Sequence, residues 1–191
     1  NVNVDLFYEN EKLEVVQQFT YLGVTLSSNG IFYKTQKKLA EQSTKAMYAL
    51  KSLFEVLDLQ VCDKMKLFDA MIMPILNYGS QIWGFHKSPD IERAHLKYLK
   101  QILGVRQQTT SAAVYGEFGR FPMYVIRKVN IVKYWHKILQ SKDSLMFKLY
   151  DMRGDDNAFL NPWSLQVRDL LYDLGLNYLW EIDTVTGKNS K

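Results

Sequence analysis

The sequence is poor in cysteine and histidine, the side chains that crosslink chains and hold zinc. Cys62 is the single cysteine, so no disulfide can form within the chain, and a reducing intracellular setting, nuclear or cytoplasmic, is favoured. The three histidines, His86, His95 and His136, are too scattered to form a zinc site with one cysteine. Small folds that depend on disulfides or zinc are therefore not expected.

Long apolar runs are also lacking. No stretch of about 18 uncharged apolar residues occurs, and the N-terminus has no basic segment followed by an apolar one. We therefore expect neither a membrane span nor a signal peptide, and no membrane partner. Because the chain begins at Asn1 rather than Met and opens directly into a strand pattern, we expect it to be a fragment.

The motifs of common enzymes are missing as well. There is no Gly-x-Ser-x-Gly elbow and no clustered Cys/His pair with a supporting acid. Gly116 and Gly119 are not followed by the lysine and hydroxyl of a phosphate loop. The only paired aspartates, Asp155 and Asp156, lie in a polar stretch that is typical of a solvated turn. We predict no catalytic residue, no metal site and no cofactor in this chain.

Apolar residues and unevenly distributed charge are what the sequence does contain. With 191 residues, 47% of them hydrophobic, the chain can bury a sizeable core. Residues 31–106 carry 12 basic and 7 acidic side chains, and residues 120–148 carry 7 basic and 1 acidic. Residues 1–30 and 151–183 are net acidic. The basic middle is suited to a polyanion such as nucleic acid, although ordinary solvated helix faces would give the same counts.

The residue pattern changes from strand to helix near residue 30. Strand patterns cover residues 2–8, 13–16 and 18–26. Gly23 marks a bulge or a close backbone approach within the third strand. Beyond residue 30 the apolar residues recur with a helical period. The predicted fold is therefore mainly α, with a small N-terminal antiparallel β-hairpin or three-stranded unit followed by a helical bundle.

Helices are predicted from their apolar periodicity and their end signals. We expect them at residues 32–57, 60–84 with a kink at Pro74, 88–103, within 109–122, 122–140, 143–152 and 162–174. Ser88 is expected to cap the helix that Pro89 opens and Gly104 ends. His95 falls on the apolar face of that helix, where a hydrogen-bonded core histidine is commoner than a ligand. Residues 154–157 are predicted to be a loop, and the tail from Thr184 to be frayed.

Basic side chains form stripes on two of these helices, those at 32–57 and 88–103. Lys34, Lys38 and Lys45 lie within about 40° of each other, opposite an apolar face. A second stripe, within an arc of about 60°, consists of Arg93, Lys97 and Lys100. On the helix at 122–140, apolar Val125, Val129, Val132, Trp135 and Leu139 are predicted to face one way, and Arg127, Lys133 and Lys137 the other. Such stripes can follow a phosphate backbone, or they are ordinary solvated faces.

Four blocks, in this order and spacing, resemble one known family. They are Phe19-Thr-Tyr-Leu-Gly-Val-Thr-Leu26; Ala46-Met-Tyr-Ala-Leu-Lys51; Lys66-Leu-Phe-Asp-Ala-Met-Ile-Met-Pro-Ile-Leu-Asn-Tyr-Gly-Ser80 with Ile82-Trp-Gly84; and Leu96-Lys-Tyr-Leu-Lys-Gln-Ile-Leu-Gly-Val105 with Ala112-Ala-Val-Tyr-Gly-Glu-Phe-Gly-Arg-Phe-Pro122. To about residue 123 the chain resembles the end of the palm, the thumb and the adjoining linker of reverse transcriptases from LINE-type (non-LTR) retrotransposons.

The resemblance implies a division of the chain and a role for its parts. Residues 1–30 would be the end of the palm with a primer-grip β unit, residues 31–106 a thumb-like helical bundle, and residues 107–191 a helical linker or C-terminal extension. Tyr21, Leu22 and Gly23 would hold the 3′ end of the primer, with Gly23 permitting close backbone approach. The basic stripes would contact the template–primer backbone without reading its sequence.

The implied partners are an RNA template and a DNA primer, as an RNA–DNA hybrid, together with the remaining palm and fingers of the parent polymerase. Mg²⁺ is implied for the full-length enzyme, whose palm aspartates hold two metal ions. The aromatic-Ala-Asp-Asp signature that supplies part of that site is missing from this sequence. This chain is therefore not expected to polymerise on its own.

Two hypotheses about function follow. The first is a non-catalytic fragment of an RNA-directed DNA polymerase that grips the template–primer duplex. The alternative is a helical interaction or scaffold protein, such as a domesticated retroelement remnant whose basic faces no longer meet a target.

Overall fold

Helices dominate the structure, as the sequence predicts. The computed structural model describes residues 7–142, 144–151 and 162–181. The helices are α1 (Tyr33–Leu57), α2 (Val61–Leu67), α3 (Met73–Leu76), α4 (Ser80–Trp83), α5 (Pro89–Leu103), α6 (Ser111–Phe118), α7 (Met123–Gln140), α8 (Leu145–Asp151) and α9 (Pro162–Asp173). The predicted fold class, mainly α with an N-terminal antiparallel hairpin unit, is confirmed.

The strands form two separate hairpins. Strand β1 (Phe7–Tyr8) pairs with β2 (Glu11–Lys12), and β3 (Gln18–Tyr21) pairs with β4 (Val24–Ser27), both antiparallel. The predicted strand at 13–16 is wrong, and no three-stranded sheet forms among the described residues. The predicted strand at 18–26 folds back on itself instead. Residues 2–6 of the first predicted strand lie outside the described residues.

Local end signals placed most helix boundaries correctly. Pro89 occupies the first turn of α5, and Gly104, with φ +68°, ends it in the left-handed conformation. Ser88 occupies the N-cap position of α5, as predicted, but its buried hydroxyl makes no capping hydrogen bond. The predicted loop at 154–157 and the tail from Thr184 lie outside the described residues.

The predicted helix at 60–84 is broken twice. Pro74 has no N–H to donate to the carbonyl of Ala70, and its ring would crowd that carbonyl. The chain widens there into a π-helical turn, Phe68–Ile72, in which the Met73 N–H donates to the Phe68 carbonyl. Gly79, with φ +65°, then separates α3 from α4. The predicted kink at Pro74 is therefore spread over the turn that precedes it.

The apolar core consists of two clusters that share α7. The first includes Val24 of β4, the inward faces of α1 to α6, and Met123 at the start of α7. The second is built from Ile131, Trp135 and Ile138 of α7 with residues of α8, α9 and Trp180. The division of the chain at residues 30 and 106 stays a prediction, but Val114 and Met123 pack in the first cluster although they lie beyond residue 106.

The inward face of α7 differs from the predicted one. The fully or almost fully buried side chains are Met123, Arg127, Ile131, Trp135 and Ile138. The prediction that Arg127 points outward is wrong, and Val129 is among the exposed residues. Periodicity assigns Arg127 to the polar face because an arginine is expected to reach water, and the structure turns it inward instead.

Glu92 of α5 explains how a buried arginine is tolerated. Its carboxylate accepts hydrogen bonds from the backbone N–H groups of Met123 (2.9 Å) and Tyr124 (2.7 Å), which open α7. It also faces the guanidinium of Arg127, whose Nη2 lies 3.4 Å from Oε1. Burial lowers the pKa of Arg127, and the charge of Glu92 opposes that shift. One carboxylate therefore caps α7 and balances its buried charge.

We expect Glu92→Gln to lower the free energy of unfolding by about 3 kcal/mol, because it leaves Arg127 as an uncompensated buried charge. Urea titration measures the change. Glu117→Gln, on the exposed face of α6, is the matched control and should change stability by less than about 0.5 kcal/mol. Adding Arg127→Met to Glu92→Gln should recover part of the loss. A cost for Glu92→Gln no larger than that of the control would contradict this role.

His95 is a core residue, as predicted, but it is not hydrogen-bonded. Its ring stacks on Phe68, with centroids 5.3 Å apart, and neither ring nitrogen has a partner among the described residues. Burial lowers the pKa of His95 to about 4, the charge of Arg120 lowers it further, and Asp69 opposes both. The neutral imidazole is thus the folded form.

This depressed pKa makes stability depend on pH. Between about pH 6.5 and 4 the unfolded chain binds a proton at His95 that the folded chain excludes, so stability falls as the pH falls. The loss assigned to His95 is about 3 kcal/mol. Urea titrations across this range should give a smaller loss for His95→Leu than for the parent chain, whereas exposed His86→Gln should keep the full loss. Equal slopes for the parent chain and His95→Leu would rule the mechanism out.

Candidate nucleic-acid interface

The segment Tyr21–Gly23 lies at the tip of the β3–β4 hairpin. Leu22 and Gly23 both have positive φ angles, +47° and +82°, as the central residues of a type I′ turn do, and Tyr21 pairs with Val24 across the strands. Gly23 is therefore a turn residue, and the predicted bulge within a continuous strand is wrong. The side chains of Tyr21 and Leu22 are 61% and 71% exposed. All three predicted contact residues face solvent.

Contacts with the helical bundle hold this tip in place. The Tyr78 hydroxyl donates to the carbonyl of Leu22 at 2.8 Å. The Thr35 hydroxyl of α1 accepts from the N–H of Thr25 at 2.8 Å and donates to its carbonyl at 3.3 Å. Val24 is buried beside Gly79, where an added Cβ would approach its side chain to 3.1 Å. The hairpin is fixed both to α1 and to the turn between α3 and α4.

The first basic stripe is exposed and adjoins the hairpin. Lys34, Lys38 and Lys45 all face solvent on α1. The ammonium of Lys34 donates to the Gln18 side-chain carbonyl of β3 at 2.5 Å. Lys38 borders the same groove as Leu22 and Gly23. The structure thus joins two features that the sequence predicted separately, and we call the surface formed by Tyr21–Gly23, Lys34, Lys38, Lys45 and Lys97 the basic ridge.

The second stripe is only partly formed. Lys97 donates to the Tyr48 hydroxyl at 2.9 Å, and Tyr48 lies one helical turn beyond Lys45, so Lys97 extends the first stripe. The hydrogen bond and the charge of Lys97 lower the pKa of Tyr48. Arg93 is exposed but pairs with the Asp90 carboxylate at 2.6 Å, which cancels much of its charge.

The prediction that Lys100 lies on an exposed stripe is wrong. Its side chain is 8% exposed, and its ammonium donates to the carbonyl of Gln107 at 2.5 Å. Gly104 reverses the chain at the end of α5, which brings residues 105–107 back over Lys100. Whether any of the nine predicted residues contacts nucleic acid stays a prediction.

In the part of the chain that the structure describes, no group of three or more His, Cys, Asp or Glu residues is placed to hold a metal ion. Asp155 and Asp156 lie outside that part. No residue set for the Mg²⁺ of a polymerase is therefore identified. No helix among residues 7–142, 144–151 and 162–181 is long and apolar enough to span a membrane.

Comparison with protein-family models, with curated proteins and with solved structures finds no match to this chain.

The residues that sequence reasoning missed are the ones that position the tip. Tyr78 and Gly79 stand in an Asn-Tyr-Gly-Ser turn signal, which predicts a turn but not what the turn contacts. Thr35 carries no signal beyond its place on the inward side of α1.

We expect Tyr78→Phe to loosen the tip without unfolding the bundle. Losing one partly exposed hydrogen bond of about 1 kcal/mol should speed amide hydrogen exchange in β3 and β4 by roughly fivefold. Hydrogen-exchange mass spectrometry should show no change in α5. Tyr172→Phe, an exposed tyrosine on α9, is the matched control. Unchanged exchange in residues 18–27 would show that this hydrogen bond does not hold the hairpin.

Proposed function

We propose that this chain is a non-catalytic part of a LINE-type reverse transcriptase and that it grips the template–primer duplex. The observation that carries the proposal is the continuity of the basic ridge. The hairpin tip that the resemblance assigns to the primer borders the lysines that periodicity assigns to phosphates. Periodicity alone places the lysines in one stripe, and the resemblance alone singles out the tip.

The dimensions of the ridge suit a nucleic-acid backbone. From Lys34 to Lys45 the helix rises roughly 16 Å, which corresponds to about five phosphates of one strand along a duplex axis. Lys34 and Lys97 rest against neutral acceptors, Gln18 and Tyr48, so their charges are not cancelled. Among the described residues, Lys38 and Lys45 make no hydrogen bond or ion pair. Glu41 lies within the same stripe and reduces its charge.

The exposed surface of the N-terminal hairpins suits a protein partner, and we propose that this partner is the remaining palm. Phe7, Tyr8, Val15 and Phe19 are all more than half exposed. Each sheet in the described residues has only two strands, which is too few for independent stability, and offers edges for pairing. A neighbouring sheet would cover both the apolar side chains and the edges.

The alternative function, a helical interaction or scaffold protein, is favoured by one other surface. Leu53, Val56 and Leu57 at the end of α1 are exposed, and Val61 at the start of α2 adjoins them in sequence. Such an apolar patch suits a protein partner rather than a phosphate backbone. In that case the lysines of the basic ridge would be ordinary solvated residues.

Charge reversal distinguishes the two functions. We expect the chain to bind an RNA–DNA hybrid with an affinity that falls steeply with salt. Replacing Lys34, Lys38 and Lys45 together by Glu should weaken binding by roughly two orders of magnitude and reduce the slope of log affinity against log salt by about 3. Fluorescence anisotropy at several salt concentrations measures both quantities.

The matched control reverses the same number of exposed lysines elsewhere. Lys137 lies on α7, Lys142 between α7 and α8, and Lys148 on α8. Replacing these three by Glu changes the net charge by the same amount as the ridge variant does. Circular dichroism checks that both variants fold. If the control weakens binding as much as the ridge variant, the effect is general charge rather than a located grip. Absence of binding by the parent chain, or a flat salt dependence, would favour the interaction protein.

A further inference from the structure

A groove of about 360 Å³ lies between the hairpin tip and the helices. It is bordered by Leu22 and Gly23 of the tip, Lys38 and Gln42 of α1, and Pro74 and Tyr78 from α3 and the turn after it. Its volume is in the range of small-molecule sites in proteins. Nothing in the proposed contact with a phosphate backbone requires such a concave space.

The chemistry of the groove is amphipathic. Leu39 and Ile75 contribute apolar surface to its lining. At its edge, Lys38 and Gln42 are four residues apart on α1 and therefore project from the same side of the helix. The Lys38 ammonium has no hydrogen bond or ion pair among the described residues. The groove thus combines one unneutralised cation and one amide with an otherwise apolar lining.

The shape of the lining favours a planar ligand. Pro74 and Tyr78 each contribute a ring to the lining, and Gly23 adds no side chain to it. The Tyr78 hydroxyl already donates its hydrogen to the Leu22 carbonyl, so its ring is held in place rather than free to turn away. Aromatic rings stack well against such surfaces.

We propose that this groove binds a small planar aromatic anion, a carboxylate or a sulfonate. Its ring lies against Pro74, Tyr78 and the tip peptide, and its anionic group pairs with Lys38 while Gln42 donates a hydrogen bond. This binding does not depend on the proposed grip of nucleic acid, because it needs neither Lys34 nor Lys45.

Titration with 2-naphthoate, followed by ¹⁵N–¹H correlation NMR, tests the proposal. The amide shifts of Gly23, Lys38 and Gln42 should move together and saturate. Lys38→Met keeps the aliphatic stem but removes the charge, and it should weaken naphthoate binding about tenfold. Lys37→Met, the adjacent exposed lysine that does not border the groove, is the matched control and should leave the affinity unchanged.

A neutral probe separates the ring from the charge. 2-Naphthalenemethanol should bind the parent chain and Lys38→Met equally, since it has no anionic group for the lysine. Shifts spread over other apolar surfaces, no saturation, or equal weakening by Lys37→Met and Lys38→Met would each overturn the proposal. Binding of the RNA–DNA hybrid is measured separately. If the chain binds naphthoate but not the hybrid, the groove proposal holds and the proposed function fails. If it binds the hybrid but not naphthoate, only the groove proposal fails.

Discussion

The contact that most of the architecture depends on is the one between the Glu92 carboxylate and the start of α7. Helix α7 takes part in both apolar clusters, so its position decides how the C-terminal helices sit against the rest. Its own sequence offers no side-chain cap, since Pro122 precedes it. A carboxylate from α5 supplies the missing acceptor and the counter-charge for Arg127, whose guanidinium also stacks 5.6 Å from the Trp83 ring centre. The same carboxylate therefore caps the N-terminus of α7 and balances the charge of Arg127.

A few polar contacts and one apolar side chain, Val24, set the position of the β3–β4 hairpin. Only Val24 of the described residues before Phe32 is buried, so the helical bundle needs little from the strands. The strands, in contrast, need the bundle, because an isolated two-stranded hairpin is marginal. The hairpin therefore depends on the bundle for its position, whereas the bundle depends little on the hairpin.

The parts of the structure that local signals specify were predictable from sequence. Pro89 and Gly104 delimit α5, and Pro122 and Pro162 precede or open helices, because each acts on its own backbone. The inward turn of Arg127 and the burial of Lys100 were not predictable, since each depends on an acceptor contributed by another segment. The basic ridge lies between these cases. Its lysines followed from periodicity, but their contact with the hairpin is a tertiary fact.

The backbone of Leu22 has one remaining consequence. A leucine with a positive φ angle strains the chain by roughly 1 kcal/mol, a cost that asparagine or glycine would largely avoid. With so much of its side chain in water, this residue recovers little of that cost from packing. Its isobutyl group is therefore better placed to contact another molecule than to stabilise its own fold. A strained and exposed leucine at this position indicates that the tip is a contact surface.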